Sequence, residues 1–110
     1  MELSDSKCVP CQGGVPPLTK QEAEKLLTQV PGWSLVDDGS AIQYRFSFPD
    51  FAKALAFANR VGQLAETEGH HPTLTVSWGS CAVRFRTGKI KGLHQNDFIM
   101  AAKVNGLRPC

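Results

Sequence analysis

All three histidines of this chain, His70, His71 and His94, fall within one window that runs from Glu66 to Asp97. Two of them are adjacent, in the run Glu66-Thr67-Glu68-Gly69-His70-His71-Pro72. Imidazole is the side chain whose ordinary charge change lies closest to neutral pH, so a histidine pair points first to proton transfer. Its setting is equally informative. Pro72 biases His71 away from the α region, so a helix leading into the pair must end before it. Gly69 offers a natural C-terminal stop. The pair therefore stands where helix gives way to strand, a common mounting for a functional loop on a rigid scaffold.

Two carboxylates accompany the pair. Glu66 lies four residues before His70, and helical spacing puts it on the same side as the histidine pair, where a carboxylate can orient an imidazole and stabilise its protonated form. A solvated glutamate at a helix end is the plain alternative. Asp97 falls at or near the third position of the last helix, where the dipole and free N–H groups favour an acid whatever the function. His94, three residues earlier, shares that helix end. The positive end of the helix disfavours an imidazolium and Asp97 favours one, so His94 reads either as a cap or as an acid–base group. Two histidines with Asp97 would suit iron or zinc. Adjacent residues at the start of a strand seldom point at one ion, however, and no metal is expected. Cys8-Val9-Pro10-Cys11 is half of a zinc or redox motif without its second half, and reads as structural or incidental, dispensable for chemistry. The basic run Arg84, Arg86, Lys89 and Lys91 has the character of the solvated face of an edge strand. Four such charges could also attract an anionic partner.

The elements that must hold these residues are legible in order. Thr19-Lys20-Gln21-Glu22 is a capping box, and Ala23, Leu26, Leu27 and Val30 form the apolar face of a short helix that Pro31-Gly32 ends. Trp33 to Val36 reads as a brief strand, followed by the turn residues Asp37-Asp38-Gly39-Ser40. Ile42, Tyr44, Phe46 and Phe48 alternate with Gln43, Arg45 and Ser47, predicting a strand with one covered face. Pro49-Asp50 opens a long helix whose buried stripe is expected to be Phe51, Leu55, Ala58, Val61, Leu64 and Ala65. Leu74, Val76 and Trp78 alternate in a third strand, and Cys81, Val83 and Phe85 in a fourth. A last helix starts between His94 and Asp97 and ends near Asn105-Gly106. The order α-β-β-α-β-β-α predicts an α+β fold, a four-stranded antiparallel sheet with three helices packed on one face.

With 110 residues, the chain has room for one core. Residues 1–17 read as an irregular arm and 18–110 as a single domain. The hydrophobic content of 42% excludes a disordered chain, and a net charge of +2 is too mild to imply nucleic acid or an anionic membrane. No apolar run approaches a membrane span, and the N-terminus lacks the pattern of a signal peptide, so a cytoplasmic protein with reduced thiols is expected.

Glu66-x3-His70-His71-Pro72, the aromatic Trp78, and Gly92-Leu93-x3-Asp97 heading a helix resemble the pterin-4a-carbinolamine dehydratase family. The resemblance runs from about Thr19 to Leu107, element order included. It implies dehydration of a 4a-hydroxytetrahydropterin to the quinonoid dihydropterin, a step that regenerates the tetrahydrobiopterin cofactor after aromatic amino acid hydroxylation. The implied reaction uses no metal and no cofactor of its own. The resemblance makes His70 the acid–base residue, with His71 binding and polarising the pterin, Glu66 and Asp97 in support, and Pro72 and Thr87 as substrate contacts; His94 joins them as a candidate because the glycine-bounded loop from Gly88 to Gly92 lets its helix end approach the histidine pair. It also implies a homodimer or homotetramer.

Two positions depart from the family pattern. The family usually has a third histidine directly after the threonine that ends the fourth strand; here Gly88 follows Thr87. It also favours serine or threonine where this chain has His94. Some proteins of this fold are non-catalytic, acting as a dimerisation cofactor or an assembly helper, and that binding-module reading stands as the alternative.

Overall fold

The computed structural model describes residues 3–8 and 15–107. Helix α1 spans Lys20–Leu27, and its capping box forms as expected, with the Thr19 hydroxyl accepting from the Glu22 N–H and the Glu22 carboxylate from the Thr19 N–H. Strand β1 (Ser34–Val36) and strand β2 (Ala41–Ser47) follow. Helix α2 spans Phe51–Glu68, capped at one end by the Asp50 carboxylate and at the other by Gly69 in the left-handed region. Strands β3 (Thr73–Ser77) and β4 (Ser80–Phe85) lead to helix α3, Gln95–Asn105.

The four strands form one antiparallel sheet in the order β1-β2-β4-β3. Register places Ile42, Tyr44 and Phe46 of β2 opposite Phe85, Val83 and Cys81 of β4, so the apolar residues of both central strands share a face. The three helices cover that face. Val61 and Ala65 of α2 meet Phe98, Met100 and Val104 of α3 in the core above it. Arg45 on the opposite face is exposed, the one-sided covering that the alternation predicts.

Helix α3 departs most from an ordinary amphipathic helix. Asn96 through Ala101 are all buried, because β4 and α2 cover one side and a short 3-10 turn at Leu3–Asp5 covers another. Residues 3–8 are thus packed against the domain, with Leu3 itself in the core. Cys11 of the sequence motif lies outside the described residues.

Four local expectations need correction. Strand β4, which carries Arg84, is a central strand paired on both sides and not an edge. Phe51 and Leu55 are more than two-fifths exposed, and Ala54 and Phe57 take the buried positions. The stripe of α2 is therefore rotated by about one residue at its N-terminal end, where Phe57 packs on Phe46 and Phe48. Pro49 precedes the cap Asp50 and does not enter the first turn. Trp78 lies in the turn between β3 and β4, 75% exposed. Among the described residues, no helix is long and apolar enough to cross a membrane.

Gly32 is required where α1 turns into β1. Its φ is +90°, and a Cβ there would clash with the edge of the Tyr44 ring, which is stacked on Phe46. Substitution Gly32→Ala combines a left-handed penalty with overpacking and is expected to lower stability by about 2–4 kcal/mol. Urea denaturation with an unchanged m-value checks it; a loss under half a kilocalorie would show that the ring moves aside freely.

Candidate active site

The end of α2 decides how the histidines part. Gly69 turns the chain left-handed (φ 69°), and the His70 N–H still bonds the Ala65 carbonyl at 3.2 Å. His70 is thereby carried inward, its side chain only 12% exposed and its ring lying nearly parallel to Phe85 at 6.0 Å. His71 points outward and remains exposed.

His70 Nε2 lies 2.6 Å from Asp97 Oδ1. The other oxygen, Oδ2, accepts from the Thr87 hydroxyl at 2.8 Å and from the His94 N–H at 2.9 Å. Asp97 is fully buried, where a carboxylate is tolerated only with donors to replace its water. It has three, together with the positive end of α3. This network fixes the His70 ring by its Nε2.

The remaining predicted residues fall as follows. Glu66 pairs with Nε2 of His71, the outer member of the histidine pair that helical spacing sets it beside. The cause is again the Gly69 turn, which swings His71 back over the last turn of α2. Thr87 lines the cleft from β4's end while holding Asp97. His94 caps α3: its Nδ1 accepts from the Asn96 N–H at 3.0 Å, and it is not among the cleft-lining residues. Pro72 lies outside that lining as well.

The cleft encloses about 530 Å³. His70, His71 and Thr87 line it beside Gly88, whose missing side chain leaves open space. Arg86 and Lys89 add positive charge. Cys8 and Glu68 also line it; the sequence marks Cys8 only as half of an incomplete motif and gives Glu68 no role. Glu68 is hidden by its ordinary place at a helix end, and nothing local ties Cys8 to the histidines, since it reaches the cleft only through the docking of residues 3–8. Burial pushes the Cys8 thiol up to about 11, with the Glu68 carboxylate adding to the shift. That thiol stays protonated at neutral pH. Among the described residues, no three histidine, cysteine or acidic side chains cluster in a way that could hold a metal ion.

Residues 16–107 match the model of the family described as Pterin 4 alpha carbinolamine dehydratase. A Methylococcus capsulatus protein named "Putative pterin-4-alpha-carbinolamine dehydratase" is 56% identical over 105 residues, covering 96% of this chain and 92% of that one. A protein of the same name from Aromatoleum aromaticum is 54% identical over 108 residues, covering 98% and 96%. Among solved structures, a transcriptional coactivator/pterin dehydratase from Brucella melitensis aligns with a TM-score of 0.77 at 32% identity, over 83% of this chain and 97% of its own. A pterin dehydratase-like protein that is a RuBisCO assembly factor in the alpha-carboxysome aligns at 0.59 and 21% identity, over 69% of this chain and 88% of its own, a likeness of fold alone.

Two outcomes follow from the geometry. Asp97→Asn puts an amide donor where one of three donors now points, and should cost about 2–3 kcal/mol in chemical denaturation. Stability within half a kilocalorie of the parent would mean that water already satisfies the network. Alkylation of Cys8, followed by peptide mapping, should still be climbing about tenfold per pH unit at pH 9.5, where an ordinary thiol with a pKa near 8.5 has levelled off. A plateau below pH 9 would contradict the buried, protonated thiol.

Proposed function

The chain belongs to the pterin 4 alpha carbinolamine dehydratase family, and from that membership we propose that it dehydrates a 4a-hydroxytetrahydropterin to the quinonoid dihydropterin. In this reaction the C4a–O bond breaks, the proton on N5 leaves, a C4a=N5 double bond forms and water departs. Atoms and charge balance without an oxidant or a metal. What the protein must supply is a proton for the leaving hydroxyl and an acceptor for the N5 proton.

One observation carries the reading: His70, oriented by a buried carboxylate and facing a cleft large enough for a bicyclic ring. With Nε2 occupied by Asp97, Nδ1 is the nitrogen that protonates the departing hydroxyl. Asp97 stabilises the imidazolium before that transfer and holds the ring to one orientation throughout. His71, exposed beside the cleft and paired with Glu66, binds and polarises the pterin and takes the N5 proton directly or through water. Thr87 acts from the cleft wall, as a pterin contact and as a donor to Asp97. Pro72 and His94 act at one remove, by fixing the direction of the chain after His71 and the start of α3. In cells the product is the oxidised partner of a tetrahydropterin, so a reductive step must follow for the cofactor of aromatic hydroxylation to be restored.

The alternative is a binding module of the same fold. Gly88 favours it, because the cleft wall there presents no side chain where the family usually carries a histidine. A carbinolamine dehydration assay on the purified protein separates the two. The expected result is turnover well above the uncatalysed rate, unchanged by a chelator, and a loss of at least about tenfold in His70→Ala with the fold intact by circular dichroism. Wild-type rates equal to the uncatalysed reaction would sink the enzymatic reading in favour of the binding module.

A further inference from the structure

Residues 3–8 lie outside the segment matched by the family model, yet they are fastened to the structure at several points. Leu3 is buried in the core. The Lys103 ammonium of α3 donates to the Ser4 carbonyl at 3.0 Å. It also stands 3.8 Å from the carboxylate of Glu68, the last residue of α2. Glu68 in turn accepts from the Cys8 N–H at 3.4 Å, while the Cys8 thiol points to the Asn96 carbonyl at 3.9 Å. Glu68 and Lys103 are only 14% and 17% exposed, so salt and water screen their interaction less than they would on an open surface. One carboxylate thus joins α2, α3 and the arm at the rim of the cleft, where Cys8 and Glu68 stand beside His70.

We propose that residues 3–8 are a wall of the substrate cleft, with Cys8 its inner surface, and that Glu68 and Lys103 are the positioning residues that seat it. The proposal rests on the pterin-binding reading above. Cys8 does no chemistry on this account: a protonated thiol is a small, neutral, polarisable group suited to pack beside an aromatic ring. Lys103 does not line the cleft, so its effect on substrate must pass through the arm and through Glu68.

The test uses the full chain and 7,8-dihydrobiopterin as the probe. Cys8 is alkylated with N-ethylmaleimide at pH 8.5 and followed by peptide mapping, which separates it from the other cysteines. Saturating probe should slow Cys8 alkylation at least about fivefold in the unmodified protein. Lys103→Met keeps the aliphatic stem and removes the ammonium. It should weaken the protection and raise KM about three- to tenfold with kcat within twofold. Glu68→Ala should act in the same direction and more strongly. Should either variant misfold, the protection measured on the unmodified chain still decides the wall. Binding of the probe, seen by fluorescence titration, without any slowing of Cys8 alkylation overturns the wall. Unchanged KM in Lys103→Met overturns the positioning role. Absence of probe binding to the unmodified protein overturns the reading beneath both.

Discussion

A carboxylate with no exposed surface is among the least comfortable groups a small domain can carry, and Asp97 is tolerated because three donors from three parts of the chain converge on it. His70 arrives from the end of α2, Thr87 from beyond the end of β4, and the His94 N–H from the cap of α3 itself. Each of these elements must be in place before the charge is satisfied, so the same interaction closes the fold and orients the imidazole. A residue that an ordinary helix would carry as a solvated first-turn acid is here both a helix cap and the partner of the acid–base candidate.

The position of α3 follows from this convergence. It is buried on most of its circumference, which is unusual for a helix in a domain of this size, and it needs a cover on the side the sheet and α2 leave open. The turn at Leu3–Asp5 supplies part of that cover. A segment that looks dispensable by composition is thus held by the core on one side and by Lys103 on the other. The rim of the cleft inherits its shape from the docking.

The two histidines differ sharply in exposure. His70 is packed against Phe85 and held by a buried anion, whereas His71 stays in solvent with Glu66 as its neighbour. Pairs of imidazoles placed in unlike surroundings are suited to unlike roles in one proton-transfer reaction. Gly69 is the residue that separates them, because its left-handed conformation ends the helix one residue before the pair and turns consecutive side chains to opposite sides.

How much of this was legible beforehand depends on range. The capping box at Thr19, the alternation of Ile42, Tyr44 and Phe46, the stop at Gly69 and the histidine pair with its nearby acids are all local patterns. Local patterns are set by backbone sterics and hydrogen-bond reach over a few residues, so composition and spacing were enough to yield the element order and the α+β class. The fine phase of α2 was not, since Phe51 and Leu55 satisfy a helical stripe as well as Ala54 and Phe57 do, and only contact with Phe46 and Phe48 selects between them. The choice of partners was decided later still. Glu66 is closer in sequence to His70 than Asp97 is, yet His70 pairs with Asp97, 27 residues away, because α3 packs where the turn at Gly69 aims the ring. Cys8 reaches Glu68 across 60 residues for the same kind of reason. Sequence by itself determined which residues could carry the chemistry and on which elements they ride; tertiary packing decided which of them meet, since burial and unlike-charge pairing act through space and leave no periodic trace along the chain.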